Sequence, residues 1–356
     1  MKSTTIRVFS HLLGVLGILL LATKVSGQIY QVREMNTEQI KALDREKTVV
    51  LLPGGILEAH GPYLPSFTDG YTAERRTEDL ANGIIEKPGW KVLIFPLIPL
   101  GSVGANILGQ KYVFPGSYTV RASTLRTIFM DLGTELGEQG FRWIFIVHAH
   151  GGLDHNRVLN QAGDFHDTYG GQMINLRALL RPQVRSDARS EEEQRDDHAD
   201  ADETSTMLFL RPDLVSPAYK NAEPLPARDQ KHRVEIAKAS TWPGYWGSPG
   251  FASAAAGATQ WKANSARWVE LAVKILDGLD YRQMKRLGDE IRVGEATVGK
   301  SFRQHNQEIA RKQQEWLKQK GLELLNARKE TTGPAPDGRQ VRSCTGTTEI
   351  LSSTSI

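Results

Sequence analysis

The strongest constraint on the fold is a set of short runs that are apolar on both alternations. Lys47–Leu52 (KTVVLL) ends at Pro53-Gly54-Gly55, and Trp90–Pro96 (WKVLIFP) and Trp143–Val147 (WIFIV) repeat its character. A strand that is apolar at every position must be buried on both faces, so it belongs inside a parallel sheet rather than on a half-solvated one. Between the runs lie helical stretches, Thr72–Ile85 and Ser123–Gln139, the second opening with a Ser cap and closed by Gly140. Strands alternating with helices predict an α/β fold, a layered, mainly parallel β-sheet flanked by helices on both faces. Trp261–Leu279 is a further amphipathic helix, and Tyr281–Arg328 is long, strongly charged helical sequence. The pattern divides the chain into residues 28–280 as the main domain, 281–329 as a charged helical extension, and 330–356 as a disordered tail rich in Thr, Ser, Gly and Pro.

The first 27 residues read differently. Lys2 and Arg7 precede the apolar run Leu12–Ala22, and Val25-Ser26-Gly27 supplies small or neutral residues before Gln28. This is the layout of a secretory signal peptide cleaved near Gly27, which predicts a secreted or periplasmic protein with no stable membrane span after cleavage. The formal charge of +3 then disappears, because the segment carries three basic residues and no carboxylate. A near-neutral mature chain excludes nucleic acid as a partner, since phosphate backbones demand concentrated Lys and Arg. Cys344 is the single cysteine, so no intramolecular disulfide forms.

Chemistry-bearing residues cluster at three places. After the first strand, Glu58 and His60 lie two apart and share a side in extended backbone, with Asp69 a short way on. Carboxylate oxygen with imidazole nitrogen suits zinc, manganese or iron, although a Glu-x-His pair taken alone is more often a solvated or hydrogen-bonded loop pair. After the third strand, His148, His150 and His155 crowd into eight residues beside Gly151 and Gly152. That clustering favours a ligand site, with His155 alternatively capping the following helix. In an open α/β sheet, both loops sit at strand carboxyl ends, where ligand crevices form. The third cluster, Asp197–Ser205, closes an acidic segment (185–203) whose bulk reads as a solvated loop, and from it His198 and Glu203 could face the same crevice. His-x-His-x-Asp-His hydrolase spacing is not met, because two extra residues separate His148/His150 from Asp154/His155.

Taken in order, Glu58-Ala59-His60-Gly61-Pro62-Tyr63-Leu64-Pro65 with Thr68-Asp69, Phe114-Pro115-Gly116-Ser117, His150-Gly151-Gly152, His198-Ala199 with Glu203-Thr204-Ser205, and Gly247-Ser248-Pro249 resemble the creatininase (creatinine amidohydrolase) family over roughly residues 45–275. The resemblance implies a homo-oligomer, hexamers being typical, with two divalent metal ions, zinc foremost and manganese or iron as alternatives. It implies hydrolysis of a C–N bond in a small-molecule amide, cyclic amide, formamide or short peptide. It assigns Glu58, His60, Asp69, His150 and Glu203 as metal ligands, Asp69 as their bridge, and His198 as the proton-shuttling catalytic residue. Members acting on creatinine carry Glu two residues after the His at position 150, where this chain has Gly152. Tyr63, His148, Leu153 and Asp200 are further departures. The alternative expectation is a secreted non-catalytic metal-binding or interaction protein on the same scaffold.

Overall fold

The computed structural model describes residues 28–180, 198–227, 229–289 and 295–322. Residues 1–27, expected to be a signal peptide, residues 185–197 of the acidic stretch and the Thr/Ser-rich C-terminal residues therefore lie outside the described residues. Among the described residues, no helix is long and apolar enough to cross a membrane.

The three apolar runs form the middle of a five-stranded sheet. Its strands are β1 (Ile29–Gln31), β2 (Thr48–Gly54), β3 (Lys91–Ile94), β4 (Trp143–His148) and β5 (Gln172–Asn175), in the order β1-β3-β2-β4-β5, and every pairing is parallel. The helices are α1 (Thr37–Lys41), α2 (Thr68–Ile85), α3 (Ala122–Glu138), α4 (Leu153–His166), α5 (Leu176–Leu179), α6 (Ala201–Leu210), α7 (Gln230–Lys238), α8 (Ala254–Leu276) and α9 (Glu295–Gln319).

The period-two geometry of a strand explains both cores. Val49 and Leu51 of β2 pack with Leu80 and Ile84 of α2 and Trp268 and Ile275 of α8, whereas Val50 and Leu52 pack with Leu125 and Phe129 of α3 and Leu159 of α4. Both faces are covered, as the continuous apolar runs require. From β2 the chain steps to β3 on one side, then crosses to β4 on the other. The loops after β2 and β4 thus flank the point where strand order reverses, the position at which a parallel sheet opens a crevice.

Several boundaries shift from those expected. The second helix starts at Thr68 rather than Thr72, which places Asp69 in its first turn. Ser123 is not a cap: α3 begins at Ala122 behind Arg121, without a side-chain cap. Ser253, whose hydroxyl accepts from the Ala256 N–H at 3.1 Å, caps α8 and starts it before Trp261. The chain separates into one unit ending at Asn306 and another from Gln307. Residues 281–289, read as helical from their charge, instead form a strap. Tyr281 is buried in the α2/α8 core, Leu287 N–H donates to Ala178 O at 2.7 Å, and Arg157 donates to Gly288 O at 2.8 Å. β5 was missed because four residues, QMIN, offer too short a pattern.

One contact ties the helical layer to the crevice. A Cβ on Gly257 of α8 would lie 1.9 Å from the Ser205 carbonyl oxygen of α6, so only glycine lets the two helices approach this closely. The substitution Gly257→Ala should force them apart, lowering stability by about 1–3 kcal/mol in denaturant titration. It should also displace Glu203, which α6 carries.

Candidate metal centre

The loop after β2 is pinned before it reaches Glu58. Gly55 passes so close to the start of α2 that a Cβ there would lie 2.9 Å from Gly70 N, which brings the loop against Asp69. The Phe114–Ser117 segment braces it from the other side. Tyr118 N–H donates to Leu57 O (2.9 Å), Ala59 N–H to Ser117 Oγ (3.0 Å), and Ser117 Oγ–H to Asn106 Oδ1 (2.9 Å). A motif noted for its order in the sequence thus acts as a bracket for the Glu58/His60 loop.

Each histidine of the site is oriented by a backbone carbonyl. His60 Nδ1 bonds Glu58 O at 3.0 Å, His150 Nε2 bonds Val103 O at 3.0 Å, and His198 Nε2 bonds Ala59 O at 2.7 Å. A carbonyl only accepts, so in each ring the bonded nitrogen carries the hydrogen, and in the neutral ring the other keeps a lone pair. For His60 the free nitrogen is Nε2, 3.6 Å from Glu203 Oε2. For His150 it is Nδ1, between Glu58 Oε2 (3.1 Å) and Asp69 Oδ2 (3.2 Å).

Those atoms converge on two groups. One donor atom from each of Glu58, Asp69 and His150 falls within a 4.8 Å cluster, and so does one from each of His60, Asp69 and Glu203. Asp69 belongs to both groups. Glu58 Oε2, His60 Nε2 and Asp69 Oδ2 are buried with no hydrogen-bond partner among the described residues. Buried polar atoms are normally satisfied, and this mixed oxygen and nitrogen set meeting around a shared carboxylate fits divalent cations. Glu58, His60 and His198 form a third such group. The His198 nitrogen 3.9 Å from Glu58 Oε1 is the Nε2 that donates to Ala59 O, which leaves His198 poorly placed as a ligand there.

Glu203 stands in the first turn of α6, whose N-cap Asp200 accepts from the N–H groups of Asp202 and Glu203, both at 2.9 Å. Ala199 N–H donates to Glu203 Oε2 at 2.6 Å. His198 is held from behind by Trp246, whose N–H donates to His198 O at 3.0 Å, next to the Gly247-Ser248-Pro249 turn.

His148 and His155 do not enter the crevice. Their rings are fully buried and bonded to each other, with Nδ1 of His148 3.1 Å from Nε2 of His155, and His155 Nδ1 accepts from Ser102 N–H at 3.2 Å. Nor does His155 cap α4, whose N-cap is Gly152. The His148 ring occupies the space of a Gly54 Cβ, 2.0 Å away, which explains the glycine at the end of β2. Burial, then neighbouring His150, lowers His148 to about 3. Gly152 is equally constrained, since a Cβ there would lie 2.5 Å from His150 Nε2 and 3.1 Å from Val103 O. Val103, Ala105 and Arg177 also line the cavity, and no motif in the chain marks them. Val103 is β-branched at φ 66°, a strained state that aims its carbonyl at His150.

Electrostatics follow from this crowding. Burial raises Glu58, but His150, His198 and His60 outweigh it and hold the group well below the usual carboxylate range. Glu203 is pushed up to about 7, by burial first and then by Asp69 and Glu58, against the pull of His198. His150 and His198 are both raised, because Glu58 with Asp69 and Glu58 with Glu203, respectively, overcome burial. A raised histidine stabilises the fold fully below its unfolded value of about 6.5, and that stability is lost as pH climbs through the folded value. Glu203 acts in the same sense, since its ionisation is penalised in the fold. Chelator-stripped protein should therefore lose melting temperature as pH rises above about 7, where the histidines that burial lowers, such as His148, are already neutral in folded and unfolded chains alike, and added zinc should reverse the trend. Thermal unfolding with and without zinc at each pH checks this.

Comparison with known proteins adds an independent line. A family model, creatininase (creatinine amidohydrolase), matches residues 33–272. A mycofactocin precursor peptide peptidase of Mycobacterium ulcerans (strain Agy99) is 26% identical over 193 residues, covering 51% of this chain and 66%, just under two thirds, of that protein. Among solved structures, a mutant creatininase complexed with creatine aligns with a TM-score of 0.51 at 20% identity, over 69% of this chain and 98% of that one. A creatinine amidohydrolase (creatininase) aligns with a TM-score of 0.47 at 21% identity, over 70% and 96%. At such identities the structural likeness is one of fold.

Proposed function

The chain belongs to the creatininase family, and on that footing we propose that it is a metal-dependent hydrolase of carbon–nitrogen bonds in small amides or short peptides. The observation that carries the reading is the pair of donor triads sharing Asp69, with orphaned buried atoms in both. Glu58, Asp69 and His150 would hold one divalent ion and His60, Asp69 and Glu203 a second, zinc suiting the mixed set and manganese or iron also accepting it. Bound there, such ions supply Lewis acidity to a carbonyl and acidify water.

The rest falls to the chain itself. His198 holds its Nε2–H against Ala59 O and turns Nδ1 toward Glu203 Oε2, 4.0 Å away. Glu58 and Glu203 raise its pKa against burial, which favours the protonated form that a donor to the leaving nitrogen must have. Ala105 N–H donates to Glu58 Oε1 and Ala199 N–H to Glu203, which fixes both carboxylates before substrate arrives. Creatinine is disfavoured as substrate, because Gly152 stands where creatinine-acting members carry Glu, and the His150–Val103 bond leaves no room for a side chain. The peptidase name of the Mycobacterium relative supports adding short peptides to the substrate class.

Hydrolysis of a panel of lactams, formamides and dipeptides, with and without chelator, tests the reading. Glu58→Gln and His150→Ala should lose metal by elemental analysis; full retention by both would show the centre is misassigned. His198→Ala should keep its metal and lose about 100- to 10,000-fold in kcat.

From the N-terminal segment we further propose export from the cytoplasm. N-terminal sequencing of protein recovered outside the cytoplasm should begin near Gln28, and a retained Met1 there would argue against cleavage.

A further inference from the structure

Arg177 is a cation inside the crevice that the proposed chemistry leaves without a task. It follows the carboxyl end of β5 in the first turn of α5 and lines the same cavity, of about 520 Å³, as Glu58, His60, Asp69, His150, His198 and Glu203. Its Nη2 lies 3.6 Å from where a Gly151 Cβ would sit, so the guanidinium runs beneath the loop that carries His150. Nη1 donates to Leu180 O at 3.3 Å, and no carboxylate among the described residues forms an ion pair with it. A guanidinium offers five donors, and most of these remain uncommitted.

Its surroundings make that position costly. Burial works against the charge, Asp69 and Glu203 favour it from beyond bonding distance, and Arg267 opposes it. Arg76 adds positive charge close by, stacked at 4.4 Å on Trp261 and 4.9 Å on Trp268. Desolvated charges persist where something pairs with them. Charge counting shows what is missing. Glu58, Asp69 and Glu203 would set three negative charges against the four positive charges of two divalent ions held there, so the carboxylates leave no negative charge over for Arg177. Arg177 then stands unbalanced unless the substrate brings an anion of its own.

We propose that Arg177 binds a carboxylate on the substrate, so that the amide hydrolysed is one bearing a free carboxylate, as in an N-acyl amino acid or the C-terminal residue of a short peptide. A guanidinium meets a carboxylate in a two-point fork, which fixes orientation as well as affinity. The cavity volume suits a ligand of dipeptide size, and Gln230 and Arg233 of α7 line it too. The inference rests on the hydrolase reading and names the substrate class for that same site.

Matched pairs test it: N-acetyl and N-formyl amino acids and dipeptides, each against its C-terminal amide. Metal-loaded wild-type protein should favour the acids, and Arg177→Gln should erase the preference through KM, by about 30-fold or more, with metal content unchanged. Arg177→Lys should keep part of it. Equal loss on acids and amides, or loss of metal in Arg177→Gln, would overturn the proposal and make Arg177 a support for the carboxylate cluster. A binding measurement separates this from the hydrolase reading. N-acetyl-leucine should raise the melting temperature more than N-acetyl-leucinamide in wild type and not in Arg177→Gln. That shift without hydrolysis of any panel member would uphold the anion site and sink the hydrolase; hydrolysis with no acid preference and no differential shift would do the reverse.

Discussion

Mutual repulsion among Glu58, Asp69 and Glu203 is the constraint the rest of the site answers. Two unit charges 4 Å apart interact by about 4 kcal/mol at an effective dielectric of 20, and here three carboxylates meet at the end of a sheet. The chain offsets this in layers. Backbone N–H groups of Ala105 and Ala199 take one carboxylate oxygen each. Asp69 sits at the positive end of α2. His150 and His198 are drawn toward the charged state.

The same arrangement explains where backbone strain is stored. Val103 and Ala199 are non-glycine residues at positive φ, 66° and 51°, and both hand a main-chain group to the site. Val103 O fixes the His150 tautomer, and Ala199 N–H steadies Glu203. Strained residues of this kind persist only where their surroundings over-determine them. The brackets from Tyr118 and Ser117 to the Glu58 loop, and from Trp246 to His198, are that over-determination.

How much of this the sequence could disclose follows from the range of each signal. β2, β3 and β4 were legible because burial on both faces leaves a continuous apolar run, which needs no knowledge of partners. The positions that converge in space, Glu58, His60, Asp69, His150, His198 and Glu203, were legible as ordered motifs on loops. Arg177 was not, because Leu176-Arg177-Ala178-Leu179 reads as an ordinary helical turn and its meaning comes from a loop 26 residues earlier. His148 misled for the opposite reason. Its spacing to His150 looks like a chelate, but alternation along β4 sends it into the α3 side of the sheet, against Phe129, where ring burial makes it structural. Charge in 281–289 suggested helix, whereas Gly288 and buried Tyr281 bind that stretch to the core as a strap.

Stability and activity are coupled through one set of atoms. In a site that raises the proton affinity of His150, His198 and Glu203, stability without metal falls as those protons leave. Divalent cations bound there would exchange those protons for fixed charge, so binding energy becomes folding energy. With Cys344 alone, the chain has no internal disulfide to serve that purpose. The protein would then depend on the same ions for its persistence and for its chemistry. The loops that would carry the ligands could therefore be strained and carboxylate-rich without being loose, because ions completing the site would also lock α2, α6 and the loops after β2 and β4 around one shared residue, Asp69.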